Sequence, residues 1–233
     1  MLELNELVSG YGRDPILRGV TFAVPDAAIT AVFGHNGAGK SSLVRALVGI
    51  LPAWSGSLKL DGIELSNQPS RRRVELGVVA SFQDQPVFPT LTVLQNLYLG
   101  GHVRWNDKAW LEARVDHIMT MFPRLSERAD QLAYTLSGGE RRMLSIAMAL
   151  ISDPKVLILD EPSTGLSPGV TDFMFKTIQD IRDAFGKSII LIEQNVQNVL
   201  PFADKAVVLK TGLVSFDGSP RTLQEDPDLV MMF

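Results

Sequence analysis

With 233 residues and a 45% hydrophobic content, the chain can bury a substantial core as one domain with room for two lobes, and is long enough to be an enzyme by itself. A formal net charge of −4 excludes a broad electrostatic footprint for nucleic acid, and the lack of cysteine excludes a disulfide framework and thiolate chemistry, which suits a reducing compartment. Met1 to Glu6 offers neither the basic start nor the apolar stretch of a secretion signal. No apolar run approaches the roughly 20 residues that span a bilayer, so the chain is expected not to cross a membrane itself.

Taken in order, Leu2 to Leu7, Val20 to Val24 and Ile29 to Phe33 read as short strands, with Tyr11 in a Gly10-Tyr11-Gly12 loop between the first two. An aromatic between glycines can offer a flat face to a base, although Tyr11 alone reads as a surface-loop tyrosine. The segment Gly34-His35-Asn36-Gly37-Ala38-Gly39-Lys40-Ser41 then fits G-x-x-x-x-G-K-[ST]. Its glycines let successive backbone N–H groups turn inward around a phosphate chain, Lys40 can reach the outer phosphates, and Ser41 supplies a hydroxyl for Mg²⁺. The flanking sequence is a strand ending at Phe33 and a helix over Ser42 to Ile50, so the loop sits where a helix N-terminus favours an anion.

Asp61-Gly62, between Ser57 to Leu60 and Ile63 to Leu65, predicts a hairpin and a return to antiparallel sheet. Arg71-Arg72-Arg73 reads as a solvated face. Gly77 to Phe82 is an apolar strand that ends at Gln83. Pro86, Pro89 and the cap-like Thr90-Leu91-Thr92 mark a boundary between Asp84 and Thr92. From Thr92 to about Arg128 the pattern is helical, its methionines and aromatics reading as packing, and Leu136-Ser137-Gly138-Gly139-Glu140 opens another helix that ends before Asp153-Pro154. Val156 to Leu159 is a strand buried on both faces that delivers Asp160 and Glu161. Phe173 to Phe185 is a helix, and Ser188 to Ile192 a buried strand leading into Glu193-Gln194-Asn195. Ala206 to Lys210 is a last strand before Thr211-Gly212 and a polar tail that ends in a short helix.

Strand ends are where open α/β sheets hold ligands. Asp160 can bind Mg²⁺ through its water shell, and Glu161 can orient and deprotonate an attacking water; alone, the pair also fits an ordinary turn. Gln83, again at a strand end, can sense a γ-phosphate, Mg²⁺ or water through its amide, or be simply solvated.

Together these residues, with Ser163-Thr164-Gly165-Leu166, resemble the ATP-binding subunit of ABC transporters over nearly the whole chain. Leu136 to Glu140 is the most specific element, since phosphate loops recur in many other nucleotidases. The resemblance implies an α/β fold with a P-loop NTPase (RecA-like) core, an antiparallel β subdomain and a helical insertion. Its boundaries fall at about 1–83 and 153–233 for the core with its β part, and 84–152 for the insertion. It further implies ATP and Mg²⁺ as ligands, held by Gly34 to Ser41 and Ser42, with Ser41, Gln83 and Asp160 on the metal. Tyr11 would stack on adenine, and Ser137, Gly138 and Gly139 would bind the γ-phosphate held on a second ABC ATPase facing it head to tail. Ser163 to Leu166 would communicate between the two sites. Gln83 would link nucleotide state to the insertion, which would contact transmembrane permease subunits at the cytoplasmic face of the membrane.

One position departs from that pattern. Where most of the superfamily has histidine after the Ser188 to Ile192 strand, this chain has Gln194, which donates a hydrogen bond but is no general acid or base near neutral pH. Catalysis is therefore expected to rest on Glu161, with Lys40, Gln83 and Gln194 around the reacting phosphate. Ile192-Glu193-Gln194-Asn195, Val87 to Val93 and Gly10-Tyr11-Gly12 are similar to the second ATPase subunit of branched-chain amino acid importers and their relatives for urea and short amides. A sister ATPase and a solute-binding protein are then expected, and no nucleic acid. The competing readings are a soluble, non-transport ABC ATPase and a nucleotide-binding protein without hydrolysis.

Overall fold

The structure, a computed structural model, describes residues 1–84 and 87–225; Pro86 of the expected boundary and the end of the expected polar tail lie outside the described residues. In chain order the strands are β1 (Leu2–Tyr11), β2 (Asp14–Val24), β3 (Ile29–Phe33), β4 (Ser55–Leu60), β5 (Ile63–Glu64), β6 (Val78–Ser81), β7 (Val156–Asp160), β8 (Ser188–Ile192), β9 (Lys205–Lys210) and β10 (Leu213–Gly218). The helices are α1 (Lys40–Leu47), α2 (Ser70–Leu76), α3 (Val93–Gly100), α4 (Lys108–Met121), α5 (Pro123–Ser126), α6 (Gly138–Ile151), α7 (Pro168–Phe185), α8 (Val196–Val199) and α9 (Pro220–Glu225). Among the described residues no helix is long and apolar enough to cross a membrane.

Two sheets organise the chain. One is antiparallel in the order β2-β1-β4-β5, and the other runs β10-β9-β3-β8-β7-β6, parallel except for β10 at its edge. The continuous apolar runs of the second sheet have a simple cause. Side chains alternate across a strand, so Ile29, Ala31 and Phe33 enter one core with Leu157, Leu159, Ile189 and Leu191, while Val32, Ile158, Ile190 and Ile192 enter another. The first core is filled by α3, α4, α6 and α7, and the second by α1 and the antiparallel sheet. The parallel sheet is thus the middle layer, and α3 to α6 occupy the chain between β6 and β7.

Local signals read from sequence recur in the caps. Thr92 accepts from the Gln95 N–H at 3.1 Å while Gln95 accepts from the Thr92 N–H at 2.9 Å, a reciprocal box that starts α3. Asp61-Gly62 turns the β4–β5 hairpin as expected, with both residues at positive φ.

Three expectations are corrected. Ala206 to Lys210 is not the last strand: Thr211-Gly212 is a hairpin turn, and β10 pairs antiparallel with β9 beyond it. Its side chains alternate only between exposed and half-buried, so the edge strand lacks a strong hydrophobic signal. Helix α7 begins at Pro168 rather than Phe173, with proline in the first turn where its missing N–H costs nothing.

The arginine run is divided as well. Arg71 and Arg72 are exposed and pair with Glu75, but Arg73 is 1% exposed, and its guanidinium donates to the carbonyls of Ala46, Leu47, Ser66 and Gln68. Three successive helical residues cannot share a face, so the third points inward, where the last carbonyls of α1 lack helical donors. The helix after the phosphate loop is therefore closed at its far end by a buried cation.

Candidate nucleotide site

Gly34 to Gly39 connect β3 to α1. Gly39 has φ of 107°, a conformation that L side chains rarely adopt, and it is the residue from which the helix starts. No side chain caps this end, so the first N–H groups of α1, at Lys40, Ser41 and Ser42, head the helix without a side-chain acceptor. Ser41 is exposed, Ser42 and Ala38 are buried, and His35, Asn36 and Gly37 face solvent on the loop.

Lys40 lies folded over this loop. Its Nζ donates to the Gly34 carbonyl at 2.7 Å and the His35 carbonyl at 3.3 Å, and stands 3.8 Å from a Glu161 carboxylate oxygen. Burial lowers its pKa, against the pull of Glu161, Asp160 and Glu193.

Strands β3, β7 and β8 run parallel and end together, which brings Lys40, Asp160, Glu161 and Gln194 to one edge. Asp160 is 7% exposed, and its pKa is raised to about 6 by burial first and by the neighbouring Glu161 second. Glu161 has φ of 45°, a strained value for a residue with a side chain that costs about 1–3 kcal/mol. The turn is held by the Glu161 N–H donating to the Ile192 carbonyl at 2.9 Å. The Glu161 carboxylate accepts from Gln194 Nε2 at 2.9 Å on one oxygen and from the Thr164 hydroxyl at 3.3 Å on the other.

Gln194 also donates to Asn36 Oδ1 at 2.8 Å, so one amide ties the phosphate loop to the acidic turn. Gln83 is half-buried at the end of β6 and lines an open cleft of about 520 Å³ with Glu161, Ser163, Thr164, Glu193 and Gln194. Tyr11 ends β1 rather than lying in a loop, and its exposed ring is attached to α1 through its hydroxyl, which accepts from Arg45 at 2.6 Å.

Ser137, Gly138 and Gly139 are elsewhere. They line a separate cavity with Gly165, Leu166 and Val170, to which no phosphate-loop residue contributes. The Ser137 hydroxyl accepts from the Glu140 N–H at 3.3 Å while Glu140 accepts from the Ser137 N–H at 2.8 Å, so α6 starts with a closed capping box.

An ABC transporter family model matches residues 17–164. The chain belongs to the ABC transporter ATPase family. It is 38% identical over 227 residues, 97% of this chain and 96% of the relative, to the high-affinity branched-chain amino acid transport ATP-binding protein BraG of Pseudomonas aeruginosa. It is 39% identical over 225 residues, 97% of this chain and 94% of the relative, to the probable branched-chain amino acid transport ATP-binding protein LivF of Archaeoglobus fulgidus. Among solved structures it resembles a nucleotide-free ATP-binding cassette from an ABC transporter, with TM-score 0.87 and 27% identity over 100% of this chain and 98% of that one. An ABC transporter cassette in its ADP conformation gives 0.86 and 26% over 100% and 97%. The P-loop NTPase core and antiparallel sheet expected from sequence are therefore those of an ABC cassette.

Within this ABC ATPase, several site contacts have no motif. Glu193 is 2% exposed, accepts from the Ser163 N–H at 2.8 Å, and has its pKa raised by burial. Its sequence signals, a carboxylate at the end of an apolar strand and a place in Ile192-Glu193-Gln194-Asn195, do not point to this contact. The Thr211-Gly212 turn supports the phosphate loop from below: the Gly212 N–H donates to the Ala38 carbonyl at 2.9 Å and the Gly212 carbonyl accepts from the Arg18 N–H at 2.8 Å. A Cβ on Gly212 would lie 1.8 Å from the Ile16 carbonyl oxygen, so only glycine fits. Nothing local in the sequence distinguishes that glycine from an ordinary turn residue.

The acidic edge also suits a divalent cation. Among the described residues no cluster of three or more His, Cys, Asp or Glu could hold a metal alone. The Asp160 carboxylate, its charge disfavoured by burial and then by Glu161, with a serine hydroxyl at the helix start, is instead the sparse donor set that suits Mg²⁺ sharing its shell with water and phosphate.

Proposed function

We propose that this chain is the ATP-binding and ATP-hydrolysing subunit of an ABC importer that takes up branched-chain amino acids or closely related small solutes. The observation that carries the reading is the convergence of Lys40, Asp160, Glu161 and Gln194 on an uncapped helix start, in a chain similar along almost its whole length to BraG and LivF. In this reading Gly34 to Ser42 hold the phosphates, and Tyr11 offers its exposed ring to adenine. Mg²⁺, bound by Ser41, Asp160 and Gln83, would supply charge neutralisation at the phosphates.

Glu161 is the base. Its carboxylate takes a proton from water as the oxygen forms a bond to the γ-phosphorus, and the bond from that phosphorus to the bridging oxygen breaks with its electron pair leaving on ADP. Among the described residues Lys40 has loop carbonyls and one carboxylate oxygen around its ammonium, so an incoming phosphate replaces weak partners with stronger ones. Gln194 orients Glu161 and stays neutral throughout.

Ser137 to Gly139 serve a phosphate held on another subunit, in keeping with their separate cavity. Two ATPase chains, this one twice or this one with a sister, then close head to tail around two nucleotides, Ser163 to Leu166 lying between the sites. Residues of about 84–152 form a helical part that meets the permease at the cytoplasmic membrane face, the remainder forms the nucleotide core, and a solute-binding protein delivers cargo. The test is reconstitution with permease subunits and a sister ATPase of the branched-chain amino acid importer type. ATP-dependent uptake of leucine, abolished by Lys40→Ala in this chain, is the expected result; no uptake of any branched-chain amino acid despite ATP turnover overturns the solute assignment.

A further inference from the structure

Helix α6 touches the nucleotide edge of its own subunit at a place no motif marks. At its start are Ser137 to Gly139. One turn further along, Arg142 donates from Nη1 to the Gln83 carbonyl at 3.0 Å and lies 3.4 Å from the Phe82 carbonyl. Three residues beyond that, the Ser145 hydroxyl is 2.6 Å from the buried hydroxyl of Ser81. Positions 142 and 145 share a helix face, and 81 to 83 are the last residue of β6 and the two that follow it, so helix and strand end are joined at two points.

The chemistry explains why an arginine stands there. Past the end of β6 the Phe82 and Gln83 carbonyls have left the ladder and need donors, which a planar guanidinium supplies from one side chain. Arg142 is half-buried, and Glu193, Asp160, Asp84 and Glu161 all attract it. It is the cation from α6 that faces the same carboxylates Lys40 faces from α1.

We propose that Arg142 is a positioning residue for ATP hydrolysis, fixing the Gln83 backbone to the helix whose start carries Ser137 to Gly139, so that displacement of that start is transmitted to the Gln83 end of the chain's own site. The inference rests on the ATPase reading above. A shift of α6 when Ser137 to Gly139 engage a phosphate moves Arg142 with it, since both lie within the first two turns of one helix, and Gln83 must follow while the guanidinium holds its carbonyl.

The test is a double-variant cycle in the assembled transporter, comparing wild type, Arg142→Ala, Gln83→Ala and the pair, with Lys40→Ala as the check on the ATPase reading itself. Hydrolysis by wild type and its loss in Lys40→Ala establish the reading independently of Arg142. Arg142→Ala is then expected to lower kcat about 10-fold with nucleotide affinity within about twofold of wild type. Arg142→Lys, which keeps a donor and the charge, should recover part of that loss. The double variant should be no slower than Gln83→Ala, because Arg142 acts through Gln83. An Arg142→Ala enzyme with wild-type kcat overturns the proposal, as does a double variant whose loss is the product of the two single losses. A fall in nucleotide affinity matching the fall in kcat overturns it too, since that reports a damaged fold.

Discussion

Two helix starts in this chain are built in opposite ways. Helix α1 begins at Gly39 without a side-chain cap and has a lysine folded against it; α6 begins at Ser137, whose hydroxyl and Glu140 close a reciprocal box. Both ends carry glycines, but only α1 also has the buried Asp160, Glu161 and Lys40 beside it. The difference teaches that an uncapped start with buried charges beside it is a site within one chain. A capped start with open space around Gly138, where a Cβ would meet nothing within 4 Å, has no such demand from its own subunit.

Breaking the α1 end should have the largest effect. Lys40→Ala is expected to reduce steady-state phosphate release by a factor on the order of 100 or more, since it removes the ammonium that is folded onto the loop carbonyls. Glu161→Gln should cost a comparable factor, on the order of 100 to 10,000, while ATP binding measured by calorimetry persists. Turnover by Glu161→Gln equal to wild type would remove that residue from the role of base.

At the α6 end the comparison can be sharpened. Ser137→Ala removes the cap and should lower stability by about 0.5–2 kcal/mol, read as a shift in the denaturant midpoint. If the end serves only its own helix, activity will fall no further than the folded fraction does. A loss of turnover of about 10-fold or more, at a temperature where the variant is fully folded, is the expected result and marks it as a phosphate contact.

A smaller effect concerns acid. Asp160 has a folded pKa of about 6, above its unfolded value of 3.8, so the folded state without nucleotide holds more protons between those values. Stability without nucleotide therefore rises as pH falls from above 6 toward 4, and Asp160→Asn should flatten that slope in denaturation series. Mg²⁺ affinity should run the other way, weakening below about 6 as the carboxyl protonates. The least change is expected from Gln194→His. Because glutamine does not titrate, the histidine variant should add to the pH profile of hydrolysis, measured at saturating Mg²⁺, a limb near the ordinary histidine pKa of roughly 6.5.

Much of this was legible residue by residue. The phosphate loop, the strand that delivers Asp160 and Glu161, the Thr92 and Ser137 caps and the Asp61-Gly62 hairpin are local patterns, and local physics produces them. Strand β10 was not, because an edge strand needs apolar residues on neither face. Arg73 was misread as solvated because its three-residue run looks uniform until a helix divides it into faces. Arg142 and Gly212 carried no signal, since their partners lie 59 residues away or more along the chain.

What the sequence by itself determined is the chemistry available: a glycine-rich turn suited to phosphate, a lysine and serine beside it, carboxylates at strand ends, and at Gln194 a glutamine that does not titrate. Only the tertiary structure decided which of these meet. Parallel strands that end at one edge bring Gln194 between Asn36 and Glu161, and the same packing keeps Ser137 to Gly139 in a different cavity. The physical reason is that residue identity and spacing fix local geometry and charge, whereas the contacts between distant elements follow from which faces the sheet buries.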